Sequence, residues 1–311
     1  MKKPFIYLFT AVSALVFSSC QHKELCYDHP HTQPLQVVFD WTQAPTASPA
    51  SMSLYLFPDA GAPFRNEFTE RTGGEIRATY GRYDALCLNS DTEAVEYRNT
   101  EKQETFEVTT VTTTLIPDLS GLGVRSEGAP MAPGAEGERI AAAPEMIWCD
   151  RRAGFSLSAE DHLLTLCPSA AVGRCTVEIR NAANLAHVKG LSASLSGMAG
   201  GFLAGAGTAS AERVTIPFEI AASSENTITG SVRTFGHCPS EQTTHTLIVY
   251  AVLSDGSKWY YTYDVTGQIH SAPDQRDIHI LLDKLPLPEP NPGGFQPSVD
   301  EWQAVDVDIE M

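Results

Sequence analysis

The chain of 311 residues is 42% hydrophobic and 19% charged, a balance that leaves room for two folded domains and excludes a largely disordered protein. It contains 21 Lys and Arg against 38 Asp and Glu, so its formal net charge is −17. Because such a chain offers no broad basic face, we expect no nucleic-acid partner. The 23 glycines and 20 prolines favour turns and strands over long helices.

The N-terminus has the pattern of an export signal. Lys2 and Lys3 precede an apolar run at residues 5–17, which is too short for a stable membrane span. The run ends in small residues directly before Cys20, an arrangement that resembles the lipobox of bacterial lipoproteins. We therefore predict a signal peptide at residues 1–19 and a lipidated, palmitate-bearing Cys20 that holds the chain permanently on a membrane. The alternative is ordinary cleavage that leaves Cys20 as a free thiol.

The other six cysteines pass into an oxidising compartment, where disulfides can form among them. The sequence does not determine their pairing. Cys167 and Cys175 flank a turn-like stretch, and they would either close a local loop or lie as two thiols on adjacent strands.

Two groups of residues combine histidine with cysteine. They are Cys26 with His29 and His31, and His237 and Cys238 with His245. Neither group has zinc-finger spacing, and the chain contains no CxxC motif. We therefore predict no metal site and no cofactor.

The first half of the mature chain predicts a β-domain at residues 33–167, after a polar tether at residues 20–32. Apolar side chains alternate at residues 35–41, 52–56 and 81–91, which is the period of half-buried strands. The last of these runs predicts a central strand. Residues 117–144 are rich in Gly, Ala, Pro and Glu without periodicity, and we expect them to form a long exposed loop.

The second half predicts another β-domain at residues 168–285. Alternating runs recur at residues 214–218, 247–251 and 278–282, and Asp255-Gly256 is placed as a hairpin turn. After that turn Trp259, Tyr261 and Tyr263 share one face. Such a stripe is able to stack on a sugar, but it is more typical of core and cross-strand packing.

The C-terminal segment, residues 286–311, differs in composition from both domains. Alternate prolines from Pro286 to Pro292 predict a stiff, extended spacer. Val305, Val307 and Ile309 then alternate with acidic residues, as in a terminal β-strand.

Catalytic motifs are missing from the sequence. It contains no GxSxG elbow, no P-loop, no HExxH and no dinucleotide-binding glycine fingerprint. Pairs of acidic residues in the sequence do not predict a catalytic site unless the fold brings their carboxylates together across a cleft. We predict that the protein is not an enzyme.

Several segments in order resemble a family of Bacteroides lipoproteins that carries a domain of unknown function. These segments are Cys20, ELCYDHP (24–30), VFDW (38–41), LYLFP (54–58), ALCLNSD (85–91), residues 191–201, WYYTYDV (259–265) and PSVDEW (297–302). That family is similar to the fimbrillin superfamily, including FimB-like and Mfa-like anchor or accessory subunits of fimbriae. The resemblance implies an all-β protein of two tandem transthyretin-like β-sandwich domains. It also implies a lipid-anchored place at the cell outer membrane, exposed at the surface, with other fimbrial subunits as partners.

In fimbrillins, a terminal strand of one subunit completes the sandwich of another. By this β-strand addition, Val305, Val307 and Ile309 would enter a groove in a neighbouring subunit. The alternative is that the strand closes its own second domain. A further alternative for function is a surface lipoprotein that binds a glycan or peptide through the aromatic stripe or the loop at residues 117–144.

Overall fold

The computed structural model describes residues 32–240, 242–290 and 301–306. This part of the chain contains twenty-two strands, here β1 to β22 in chain order, and one short α-helix, α1 (Thr266–His270). The strands form two sandwiches and a smaller sheet shared between them. The predicted all-β sandwich class is confirmed. The finer likeness to transthyretin stays a prediction.

The N-terminal sandwich packs a three-stranded sheet, in the order β10-β1-β4, against a five-stranded sheet, in the order β11-β9-β5-β2-β3. Its strands are β1 (Thr32–Phe39), β2 (Met52–Pro58), β3 (Phe64–Phe68), β4 (Gly73–Thr79), β5 (Gly81–Asn89), β9 (Trp148–Leu157), β10 (Leu163–Leu166) and β11 (Ser169–Ala170). As predicted, β5 is central in its sheet. Alternate side chains such as Val37, Leu54 and Cys87 meet between the sheets, where burial of each large apolar side chain contributes roughly 1.5–3 kcal/mol.

The C-terminal sandwich packs a four-stranded sheet, in the order β17-β18-β12-β21, against a six-stranded sheet, in the order β22-β20-β19-β13-β16-β8. Its strands are β8 (Arg139–Ile140), β12 (Gly173–Ala182), β13 (Val188–Ala199), β16 (Arg213–Phe218), β17 (Ile220–Ser224), β18 (Thr227–Thr234), β19 (Thr246–Leu253), β20 (Lys258–Asp264), β21 (Asp277–Leu285) and β22 (Trp302–Asp306). The Asp255-Gly256 turn joins β19 to β20 as an antiparallel hairpin, with Gly256 at φ +87°.

A four-stranded sheet connects the two halves of the chain. It has the order β15-β14-β7-β6 and consists of β6 (Val95–Arg98), β7 (Glu107–Thr110), β14 (Gly201–Leu203) and β15 (Thr208–Ala209). Val108 and Phe202 from this sheet, and Phe106 directly before β7, pack against Leu86 and Leu88, which lie on the outer face of β5. Both faces of β5 are therefore buried.

The segment at residues 117–144 differs from its prediction. We expected an exposed loop, but Leu119, Val124 and Ala132 are buried against the outer face of the six-stranded sheet. The physical reason lies in β19, where Ile248, Tyr250 and Val252 alternate with the inward residues, so that both faces of this strand are apolar and need cover. The segment is irregular, as its composition indicated, but it is a packed layer.

Candidate functional site

Val305, the first of the three predicted strand-addition residues, lies in the edge strand β22. This strand runs parallel to β20, with Trp302 opposite Lys258 and Asp306 opposite Thr262. It is the last strand of the six-stranded sheet, so its outer backbone edge has no neighbour among the described strands. Unpaired main-chain groups of this kind are the template on which another strand adds.

The side chains of β22 are only partly buried. Val305 packs at the margin of the C-terminal core, whereas Trp302 lies on the opposite face with its ring 5.3 Å from that of Tyr250. Ala304 is exposed. Because none of the residues from Trp302 to Val305 is fully buried, little apolar surface holds this strand in place.

Of the three residues that we predicted to enter a groove, only Val305 is described. It contacts the core of its own domain, as the self-closing alternative requires. Val307 and Ile309 lie outside the described residues, so donation to another subunit stays a prediction.

Two buried tyrosines determine where the C-terminal segment leaves the sandwich. Tyr263 Oη donates to Lys284 O at 3.0 Å, and Tyr261 Oη donates to Pro286 O at 3.1 Å. Asn184 Nδ2 donates to Leu287 O at 2.7 Å. Burial raises the pKa of both tyrosines above the usual range, so they remain neutral donors. The start of the Pro-rich spacer is therefore held firmly, in contrast to β22 beyond it.

The aromatic stripe is core, as its more typical interpretation predicted. Tyr261 and Tyr263 are fully buried, and Trp259 packs against the same core. Neither tyrosine ring offers a face to a sugar.

The N-terminal attachment site is not described: Cys20 lies outside the described residues, as do Cys26, His29 and His31. No helix in the described part of the chain is long and apolar enough to cross a membrane. The five described cysteines, including Cys167 and Cys175, are thiols in the structure.

Three histidines meet at one end of the C-terminal sandwich. The sequence singled out His237 and His245, and the fold adds His270, the last residue of α1. His245 Nε2 lies 3.1 Å from His270 Nε2. Burial is the main cause that lowers the pKa of His245 to about 4, and the two neighbouring imidazoles and Arg213 act in the same direction. His245 is therefore neutral at physiological pH.

Sequence reasoning missed His270 because it lies twenty-five residues after His245 and no spacing rule joins the two. The pairing of β19 with β20 brings His245 and His270 together, because His245 directly precedes β19 and α1 follows β20. The available sequence signal was the predicted hairpin around Asp255-Gly256, which has a histidine before its first strand and another after its second strand.

The fold and this edge define an all-β protein of two sandwiches whose last described strand, β22, is a parallel edge strand. A family model described as "Domain of unknown function (DUF5119)" matches residues 19–219. The chain belongs to this family.

Comparison with individual proteins adds fimbrial and adhesin-like relatives. The chain is 25% identical over 113 residues to a Bacteroides ovatus protein named "Putative fimbrium anchoring subunit Fim4B"; the match covers 36% of this chain and 32% of that relative. The chain thus spans about a third of the length of this curated relative.

Among solved structures, a Bacteroides ovatus protein titled "putative adhesin" superposes with a TM-score of 0.64 at 19% identity, covering 94% of this chain and 97% of that one. The fimbrial anchor protein Mfa2 from Porphyromonas gingivalis superposes with a TM-score of 0.49 at 14% identity, covering 81% and 91%. The first match shows that the whole two-sandwich fold is shared.

Proposed function

We propose that this protein is a lipid-anchored structural subunit of cell-surface fimbriae, an anchor or accessory subunit, that joins other subunits through β-strand addition. Its role is to hold and connect proteins at the outer membrane and not to transform a substrate. The observation that carries the proposal is β22: a half-buried edge strand, added in parallel at the end of a sheet and reached through a Pro-rich spacer.

The chemistry of that edge suits strand exchange. Main-chain hydrogen bonds along β20 supply affinity to any strand that pairs there, and alternate side chains supply register. A side chain of the added strand reaches the margin of the C-terminal core, as Val305 does, without being fully buried. In an assembled fimbria, the C-terminal strand would leave β20 and place Val305, Val307 and Ile309 in a neighbouring subunit.

Lipid attachment rests on the N-terminal sequence. The predicted tether at residues 20–32 leads directly into β1, which begins at Thr32. A lipid on Cys20 would therefore hold the N-terminal sandwich close to the membrane, with the C-terminal sandwich able to reach other subunits. The name of the curated relative, a putative fimbrium anchoring subunit, agrees with an anchoring role.

Deletion of residues 299–311 tests strand addition. We expect a purified monomer that remains folded but no longer co-assembles with fimbrial subunits of the same cells. Val305→Asp should weaken assembly in the same way, whereas Ala304→Asp, at an exposed position of the same strand, is the matched control. Loss of folding on deletion, or normal fimbriae with Val305→Asp, would contradict the proposal.

Metabolic labelling with palmitate tests the anchor. The wild-type chain should be labelled and recovered with the outer membrane, and Cys20→Ser should abolish both. An unlabelled wild-type chain would refute the lipid part of the proposal without affecting strand addition.

A further inference from the structure

The three-histidine cluster, formed by His237, His245 and His270, contains no residue of β22 and has no role in the proposed assembly. One ligand nitrogen of each side chain lies within 4.8 Å of the other two. The cluster joins three separate connections: the loop after β18, the residue before β19, and the end of α1. Sequence spacing groups His237 with His245, and the fold adds His270.

The backbone around His245 is held in position by its neighbours. Its amide donates to Thr266 Oγ1 at 2.8 Å, and its carbonyl accepts from the Val265 amide at 2.9 Å. These two bonds tie the start of β19 to the start of α1. The spacing between His245 and His270 is therefore built into the hairpin and does not depend on a surface rotamer alone.

The hydrogen bonds of the rings leave lone pairs available for a ligand. His245 Nδ1 lies 3.3 Å from Ser196 O, and His237 Nδ1 lies 2.9 Å from Cys238 O. A carbonyl oxygen only accepts, so the tautomer that fits each contact has the proton on Nδ1 and the lone pair on Nε2. This pattern, in which one ring nitrogen donates to a backbone carbonyl, is the one that orients histidines as metal ligands.

The distances suit a small transition-metal ion. Nitrogens that share a tetrahedral zinc ion at 2.0–2.1 Å lie about 3.3 Å from each other, close to the 3.1 Å between His245 Nε2 and His270 Nε2. The third ring requires only a modest adjustment, because His237 is half-buried and His270 is exposed. Without an ion, the two close nitrogens must share one proton in a single hydrogen bond.

We propose that His237, His245 and His270 form a binding site for a divalent transition-metal ion of the zinc type, with water in the fourth position. Three imidazoles and an open position are a known tetrahedral zinc arrangement, and the exposed side of His270 gives the ion an entry path. The bound ion would brace the three connections at this end of the C-terminal sandwich. The prediction of no metal, which rested on sequence spacing, is replaced here by one that rests on the fold.

Zinc chloride alone is the probe, titrated into the purified chain in competition with a chelator. We expect one zinc ion per chain and a thermal transition raised by roughly 5–10 °C at zinc one hundred times above Kd. His270→Ala should weaken binding by at least about 100-fold, since even the outer partners of metal ligands are worth 10–100-fold. His187→Ala, an exposed histidine elsewhere in the same domain, should bind as the wild type does.

Replacement of His245, which is fully buried, could weaken zinc binding simply by unfolding the domain. His270 is exposed, so His270→Ala should leave the fold intact and tests zinc binding alone. Cobalt substitution adds a spectroscopic readout, for which we expect tetrahedral nitrogen-type absorption without a thiolate charge-transfer band. Zinc binding that survives in both His237→Ala and His270→Ala, absence of binding, or a thiolate band would each overturn the proposal.

Discussion

The two edge strands of the six-stranded sheet, β8 and β22, are both parallel additions from segments outside the body of the C-terminal sandwich. The first comes from the chain between the two halves and the second from the C-terminal segment. They differ in how they are held. The side chains next to β8 form a dense polar network, whereas β22 has its backbone pairing and two partly buried apolar side chains, Trp302 and Val305.

The network at β8 centres on Arg139. Its guanidinium pairs with Glu212 at 2.8 Å and donates to Thr110 O at 2.8 Å and to Thr109 Oγ1 at 3.0 Å. The neighbouring Glu138 pairs with Arg213 at 2.8 Å and is almost fully buried. Because these contacts join the shared sheet to the six-stranded sheet, this edge is part of the framework. The six-stranded sheet therefore has a permanent edge at β8 and an edge suited to strand exchange at β22.

Arg139→Ala should produce the largest loss. Removal of this side chain, which is 19% exposed, leaves Glu212, Thr110 O and Thr109 without their shared partner. We expect a loss of about 3 kcal/mol in the free energy of unfolding, measured by urea denaturation. Arg125→Ala, at an exposed position in the same segment, should change stability by less than about 0.5 kcal/mol. Equal effects would refute the special role of this edge.

Tyr250→Phe tests the cover over the same sheet. The hydroxyl donates to Pro130 O at 2.7 Å and lies 3.1 Å from Ser194 Oγ, so its removal leaves a partly buried carbonyl without this donor. We expect a loss of about 1–2 kcal/mol and faster proteolysis within residues 117–144. Tyr260→Phe, on the neighbouring strand and partly exposed, is the control. Unchanged proteolysis would mean that the cover does not depend on this bond.

The pH dependence of stability should report on Glu212. Hydrogen bonding from Arg139 is the largest cause that lowers the pKa of this carboxyl below its usual 4.5, and the charge of Arg98 acts in the same direction. Because the folded-state pKa is the lower one, the stabilisation is present above pH 4.5 and disappears as the pH falls through the lowered value. Glu212→Gln should reduce that acid sensitivity by a modest amount, since solvent screens the partly exposed pair. An unaltered pH profile of Tm in the variant would exclude Glu212 as its source.

Val305→Ala should have the smallest effect on the isolated protein. The side chain is only partly buried, so we expect a loss below about 1 kcal/mol. Val249→Ala, at a fully buried position of β19, provides the upper reference at about 2 kcal/mol or more. If Val305→Ala lowers the free energy of unfolding as much as Val249→Ala does, then β22 is a permanent strand of the sheet and not an exchangeable one.

The sequence was most informative for single strands. The alternation of Val37 with Phe39, of Leu54 with Leu56, and of Leu247 with Val249 correctly predicted β1, β2 and β19, because a period of two reports directly on a buried face. The same rule predicted the core role of Tyr261 and Tyr263. Which face of a strand is buried can therefore be predicted from a few consecutive residues.

Long-range pairing was beyond such reasoning. The shared sheet pairs Gly201 with Thr109, and β8 pairs with β16 across more than seventy residues. The apolar residues at 115–135 carry no regular period, and only the apolar outer face of β19 explains their burial. His270 joined His245 for the same reason: contacts between distant segments depend on which strands pair, and alternation does not specify a partner.

Hydrogen exchange at the two edges tests the central claim most directly. In the purified full-length chain, the amides of β22 should exchange through local opening, at a free-energy cost well below that of global unfolding. The amides at β8 and the adjacent Ala141, whose amide donates to Thr215 O at 3.0 Å, should exchange only with global unfolding. Equal protection at the two edges would contradict an exchangeable C-terminal strand.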